Sequence, residues 1–291
     1  SMRIPRELPP PTWAGDDSTA ASVAAAVESA QRQGVKVAVD TETTGLDISR
    51  AEVLFWSICF ETGSRYCLPA SQLPRFALLF ADPQNRWLFT NAKFDRHMLA
   101  NTGVTLAGQS YCTFVADWLF NGATGGHGLK ECMNRYFDIP LPSFKATFGI
   151  RSEADVPTAL PLYISGGDPE KFQKAVNYAS SDAWATFKLG NYLEDQLRKV
   201  GDWHFMEEIY VPLTSVLYEM ERAGILIDKA YLQELNIQFE QRLRDCEIAF
   251  STTTGRVGIK LTSMPELRRF FFEEEGRKPI KWTSGGKSVS Y

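Results

Sequence analysis

The sequence predicts an α/β fold, a mixed sheet flanked by helices and followed by a mainly helical segment. Three observations carry that expectation. Short apolar runs bounded by turn residues cluster between 35 and 90, helical patterning takes over from about 94, and the composition shifts near 204–212. Strands followed by helices in this way suggest a mixed sheet in an α/β core. The expected boundaries are an extended segment over 1–17, the α/β domain over 18–206 and a helical piece over 207–291.

Residues 2–17 are Pro-rich and acidic and should be extended, and the opening Ser1-Met2 reads as an expression scar. STAASVAAAVESAQRQ at 18–33 has the marks of a helix, with Ser18 as N-cap and Gly34 beyond its end. Strands are expected at 35–39, 53–60 (VLFWSICF) and 65–69 (RYCLP), the last pair joined by a turn at Gly63-Ser64. A helix near 71–81 leads to a strand at 86–90 (RWLFT), and the chain then reads mostly helical, with loops at 121–128 and 139–168. Past the shift, EEIYVPLTSVLYEMERAG and KAYLQELNIQFEQRLRDCEIAF form two long amphipathic helices separated by ILID.

Composition narrows the function classes. The 291 residues suffice for a sizeable core, and 44% hydrophobic with 23% charged is ordinary globular usage. A net charge of −4 excludes a basic nucleic-acid coat, but a metal site can still offset phosphate charge locally. Five cysteines without C-x-x-C spacing read as reduced, mostly buried thiols of an intracellular protein. Three scattered histidines do not make a zinc site, and no apolar run reaches membrane-spanning length. The last 41 residues are locally basic, eight Lys and Arg against four Glu. They could contribute phosphate affinity or simply form a solvated helix face.

The chemistry concentrates in three short stretches. VKVAVDTETTGL runs a strand into Asp40 and Glu42. The C-terminal edge of a strand is where α/β sheets present functional groups, although a D-x-E turn held by local hydrogen bonds reads equally well from this stretch alone. NAKFD places Asn91 and Asp95 at a strand-to-helix joint, where turn and cap roles are common. NYASSDAWATFKL puts Tyr178 and Asp182 one helical turn apart, with Ala175, Ala179, Ala183 and Ala185 leaving space around them. Together the four acids and the tyrosine form the set a two-metal phosphodiesterase requires. Hard divalent cations take carboxylate oxygens, and closely packed carboxylates repel unless cations lie between them.

DTETTGLD, NAKFD and YASSD resemble the three motifs of the 3′→5′ proofreading exonucleases, the DEDD group with tyrosine in its third motif. The likeness is greatest to the exonuclease domain of family A DNA polymerases, covers roughly 18–206, and includes GGHGLKECMNRYFD at 125–138. The stretch at 210–228 and the run KLTSMPELRRFFFEEEG resemble the opening of that family's polymerase region and its thumb. The family's polymerase signatures are absent: His97, His127 and His204 are followed by Met98, Gly128 and Phe205, so no His-Asp-Glu occurs. The resemblance implies a ribonuclease H-like fold and proofreading removal of nucleotides from DNA 3′ ends with two Mg²⁺ or Mn²⁺.

Roles carried over from the resemblance keep to the motifs. Asp40 would bridge both ions, Glu42 and Asp182 would complete one site, and Asp95 would hold the second ion. Tyr178, with an ordinary pKa near 10, would orient the attacking water rather than act as a base. Thr43, Leu46 and Asn91 would contact the terminal nucleotide, with core packing the alternative for Leu46. Phe94 could serve as core or as a stacking platform, and His97 reads as an ordinary surface or helix residue. The expected partner is DNA with single-stranded or frayed 3′ ends, the expected state a monomer without a membrane, and the expected place the cytoplasm, at the nucleoid or in a phage-infected cell. Two rivals share these motifs: a ribonuclease D-like 3′→5′ RNA exonuclease and a catalytically silent DNA-binding platform.

Overall fold

The computed structural model describes residues 8–278 and the backbone at 281–282 and 289–290. The opening Ser1-Met2 and the side chains of Lys281 and Lys287 lie outside the described residues. The chain divides into two compact units, the first ending at Gly224 and the second beginning at Ile225.

The first unit is built on six strands: β1 (Pro11–Trp13), β2 (Val37–Thr43), β3 (Val53–Cys59), β4 (Arg65–Pro69), β5 (Arg86–Phe89) and β6 (Gln109–Cys112). They lie in the order β1-β4-β3-β2-β5-β6, antiparallel through β4-β3-β2 and parallel elsewhere. The mixed sheet is the expected one, with two additions. β1 pairs with β4 where the sequence predicted only extended chain, and β6 forms within the stretch predicted helical. Both are short edge strands whose hydrogen bonds come from a distant neighbour, so their own residues carry little pattern. β2 also runs on to Thr43, which places Asp40 and Glu42 inside the strand rather than beyond it.

Helices cover both faces. α1 (Asp17–Arg32), α2 (Leu73–Ala81) and α3 (Ala92–Asn101) pack on the side of Val37 and Val39, with Trp56, Phe76, Phe80 and Met98. The cap of α1 is Asp16, which accepts from Thr19 N at 2.8 Å, and not the predicted Ser18. A carboxylate is the better partner for the positive end of a helix. α4 (Thr113–Asn121) and α5 (Leu129–Phe137) lie on the side of Ala38 and Leu88. The predicted loop over 139–168 contains three short helices, α6 (Phe144–Phe148), α7 (Val156–Ala159) and α8 (Pro161–Ser165). α9 (Pro169–Val200) then crosses the sheet, capped by Asp168. A Cβ on Gly190 would come within 2.2 Å of the Leu88 side chain, so this glycine sets how closely α9 approaches β5. After the one-turn α10 (Trp203–Phe205), α11 (Val211–Ala223) completes the first unit, which therefore runs past the expected boundary at 206.

In the second unit α12 (Lys229–Thr254) is capped by Asp228, and Phe250 packs edge-on against Phe270 with ring centres 5.0 Å apart. Arg256 and Arg269 both pair with Glu274, at 3.1 and 3.2 Å, so part of the local basic excess is neutralised within the unit. Among the described residues no helix is long and apolar enough to cross a membrane. Cys59, Cys67, Cys112 and Cys132 are buried free thiols and Cys246 is exposed.

Candidate active site

β2 delivers two carboxylates to one face of the sheet. Asp40 and Glu42 are two residues apart in an extended strand, so their side chains leave the same side and that of Thr41 leaves the other. α9 covers the Asp40 side: Ser57, paired with Asp40 across β3, donates its hydroxyl to the Ala179 carbonyl at 2.7 Å. Ala175, Ala179 and Ala183 are fully buried. They fill the seam between helix and sheet instead of leaving room around Tyr178 and Asp182. A close seam is what lets Asp182 reach the strand. One carboxylate oxygen from each of Asp40, Glu42 and Asp182 lies within 4.8 Å of the others.

Asp95 stands apart from that trio. It lies in the first turn of α3, buried, and its Oδ1 accepts from the Thr41 hydroxyl at 2.7 Å. The residue between the two strand carboxylates thus fixes the fourth acid.

Burial first and mutual repulsion second make these acids hard to ionise. Burial, then the charges of Asp182, Glu42 and Asp95, hold Asp40 well above the usual carboxylate range. Burial raises Glu42 to about 8, aided by Asp182. Burial takes Asp95 to about 7 against the Thr41 hydrogen bond, and Asp182 to about 6 against Lys130 and Tyr178. Buried Asp182 Oδ1 has no hydrogen-bond partner. Oxygen donors, those of Glu42 and Asp182 buried and that of Asp40 half-buried, mutually repelling and with one unpartnered, fit a divalent cation.

These shifts make stability depend on pH. Folded-state pKa values raised above the unfolded ones mean that the native state binds more protons, so stability falls as pH rises. In metal-free buffer the melting temperature should drop as pH climbs from about 4, the unfolded carboxyl range, through the values of about 6 to about 8 given for Asp182, Asp95 and Glu42. Saturating Mg²⁺ should remove most of that slope. A slope equal with and without Mg²⁺ would show that cations do not occupy the cluster.

Tyr178 is buried beside the acids, edge-on to Phe148 with ring centres 5.1 Å apart. Burial, then the charges of Asp182, Glu42 and Asp40, raise its pKa. Lys130, on α5, donates to the Tyr178 oxygen at 2.8 Å, lies 4.5 Å from the ring centre and 3.9 Å from Asp182 Oδ2. Lys130 could not be singled out from sequence, because nothing in the spacing of GLKECMNRYF marks it as facing another helix.

Beside the acids opens a cavity of about 430 Å³, lined by Glu42, Thr43, Leu46, Phe94, Phe144 and Arg151 among others. Of the sequence-predicted substrate residues, Thr43, Leu46 and Phe94 reach this wall. Leu46 is 65% exposed, which decides against core packing, and its amide donates to Glu153 Oε1 at 3.1 Å. Thr43 donates its hydroxyl to the Gly45 carbonyl at 2.8 Å. Phe94 packs partly on the core, as one reading expected, and also lines the cavity. Asn91 is exposed, caps α3 without a side-chain hydrogen bond and is not among the described residues lining the cavity. His97 is not a surface residue. It is 1% exposed and bonds Glu221 of α11, a helix that the sequence had assigned to another segment. Phe144, Arg151 and Glu153 were missed, since they lie in the stretch read as a loop.

Residues 11–198 match the family model of the 3′-5′ exonuclease of DNA polymerase A type. DNA polymerase I of Chloroflexus aurantiacus is 28% identical over 98% of this chain, and that of Synechocystis is 30% identical over 69%. The matches cover 31% and 19% of those proteins, so the chain spans less than a third of either relative. Among solved structures, the POL domain of Pol1 from M. smegmatis, in complex with DNA primer-template and dNTP, superposes with a TM-score of 0.66 at 21% identity. That match covers 96% of this chain and 44% of that one. Brucella melitensis NrnC bound to pGG superposes with a TM-score of 0.51 at 25% identity, covering 66% of this chain and 89% of that one.

Proposed function

The chain belongs to the 3′-5′ exonuclease family of DNA polymerases I, and from that premise we propose that it hydrolyses the last phosphodiester bond of DNA 3′ ends as a proofreading nuclease. The observation that carries the reading is the three-carboxylate cluster, with Asp95 held nearby by Thr41 and with Glu42 in the wall of an adjoining cavity. We read the cluster and Asp95 beside it as the seat of two Mg²⁺ or Mn²⁺ ions, which Asp40, Glu42, Asp182 and Asp95 would hold. Bound there, the ions would offset phosphate charge and lower the pKa of water.

The chain's own residues do the remainder. The cavity wall of Leu46, Phe94 and Phe144 takes the terminal base, and Arg151 offers a cation to a neighbouring phosphate. Water attacks phosphorus, the bond from phosphorus to the 3′ oxygen breaks, a nucleoside 5′-monophosphate leaves and the shortened strand keeps a 3′ hydroxyl. Tyr178 remains a neutral phenol under its raised pKa, and the Lys130 ammonium fills its acceptor side. The hydroxyl is therefore left to donate, toward Asp182 in the metal-free site and, on this reading, to the attacking water once cations hold that carboxylate, which gives the phenol no part as a base. We further read the protein as a cytoplasmic monomer that acts at the chromosome.

The test is mononucleotide release from 3′-labelled DNA, with and without EDTA, beside an RNA strand of the same sequence. A single strand and a mismatched 3′ end should be degraded faster than a blunt duplex, because unpairing the end costs a few kcal/mol. EDTA should stop release. Faster attack on the blunt duplex would refute the frayed-end preference, faster attack on RNA would favour the ribonuclease D-like reading, and no release from any strand would favour the silent platform.

A further inference from the structure

α3 carries more than Asp95. Lys93, Arg96, His97 and Asn101 recur at the three- and four-residue spacing that puts them on one helical face. All four are taken by α11. Glu221 bridges two of them, pairing with Lys93 through Oε1 and with His97 Nε2 through Oε2 at 2.8 Å. Arg96 donates to the Ser215 hydroxyl at 2.7 Å, and its guanidinium lies 4.3 Å from the Tyr218 ring centre. Arg222 donates to Asn101 Oδ1 at 2.6 Å. Lys93 and His97 stand two residues before and two residues after Asp95, so the Glu221 bridge spans the turn that holds this acid.

We propose that Glu221 is a positioning residue of the nuclease site: by tying Lys93 to His97 it fixes the turn of α3 that presents Asp95 beside the acid cluster. The inference rests on the reading of Asp95 as a metal-holding acid. It also assigns part of the exonuclease site to α11, which begins after residue 198, where the family match ends. Thr41 holds the Asp95 carboxyl from the strand side, and Glu221 ties the side chains of Lys93 and His97, which helical spacing puts on the other face from Asp95. Two-sided restraint is what a carboxylate needs when displacement by about 1 Å can cost on the order of a hundredfold in rate. The bridge cannot be lost quietly. His97 is buried with Nδ1 already unpartnered, so removing Glu221 leaves both ring nitrogens without a partner and gives the turn cause to rotate.

The experiment compares the 291-residue protein with Glu221→Ala, Glu221→Gln and, as a control for loss of an acid from the same helix, Glu219→Ala. The exposed Glu219 carboxylate lies 4.0 Å from Arg96 in a surface ion pair worth little, and it pairs with neither Lys93 nor His97. Mn²⁺ binding is measured by calorimetry, single-turnover cleavage by rapid quench, single-strand DNA affinity with Ca²⁺ in place of Mn²⁺, and folding by circular dichroism. Glu221→Ala should weaken Mn²⁺ binding and slow cleavage by about tenfold each, in the range of residues that orient metal ligands. Its DNA affinity should stay within about twofold, because a residue that only orients a metal ligand acts on the metal and leaves the phosphate contacts in place. Glu221→Gln keeps one acceptor oxygen for two donors, the Lys93 ammonium and the His97 Nε2–H, and should recover only part of the loss, and Glu219→Ala should match the parent protein. A Glu221→Ala protein that melts lower yet binds Mn²⁺ and cleaves like the parent would overturn the proposal and leave the bridge a purely stabilising contact. Should that variant not fold, Lys93→Met removes one arm of the bridge at a half-exposed position, and unchanged Mn²⁺ affinity there overturns the proposal as well. If the parent protein releases no nucleotide, the cleavage arm speaks against the proposed function, while the Mn²⁺ titration still decides the role of Glu221.

Discussion

Replacing Asp40 by alanine should slow nucleotide release by about a thousandfold or more, roughly 4 kcal/mol of barrier, and should raise the melting temperature in metal-free buffer. Both effects have one origin. Asp40 is the acid whose ionisation is opposed by burial and then by three neighbours, Asp182, Glu42 and Asp95. Removing it takes away one of the carboxylates proposed to hold the ions and, with the same atoms, the repulsion that weakens the metal-free site. A purely structural acid would behave in the opposite way, with stability falling and rate per folded molecule holding. Single-turnover cleavage and melting curves on one preparation separate the two. Near-parental cleavage by Asp40→Ala would remove the basis for the two-metal assignment.

Tyr178→Phe should lower turnover by about tenfold to a thousandfold, the few kcal/mol that positioning of a nucleophile contributes. The ring keeps its place, edge-on to Phe148 and under the Lys130 ammonium. What is lost is the hydroxyl, and with it the Lys130 contact at 2.8 Å. The ammonium remains 3.9 Å from Asp182 Oδ2 and can move toward that carboxylate, so stability should change little. Mg²⁺ binding should persist because all four acids remain. A clear loss of stability with cleavage unchanged would make Tyr178 a packing residue.

Much of this site was legible along the chain, for identifiable reasons. Asp40 and Glu42 continue an apolar run that reads as a strand, and Tyr178 and Asp182 are spaced for one helix face. Such local periodicities survive in sequence because each is set by neighbours within a turn or a strand. The seam alanines were seen and misread, since sequence shows that they are small but not what comes close to them. In the structure it is the sheet that does so, at Ser57.

Residue type and local spacing were enough to single out the four acids and the tyrosine as candidates, and to read the succession of strands that carries the first of them and the helical character of the chain beyond the sheet. Packing was needed to show that Asp95 stands beside the carboxylate trio and not within it, because Thr41 turns to the far side of the strand and holds it there. Packing also placed Lys130 on Tyr178 and Glu221 on His97, contacts that span 48 and 124 residues of chain. It gave β1 and β6 their partners at the two edges of the sheet. These features share one physical cause. A side chain's charge and size are fixed by its residue type, but its partner is chosen by whichever helix or strand the hydrophobic core brings alongside, and no periodicity within a single element records that choice.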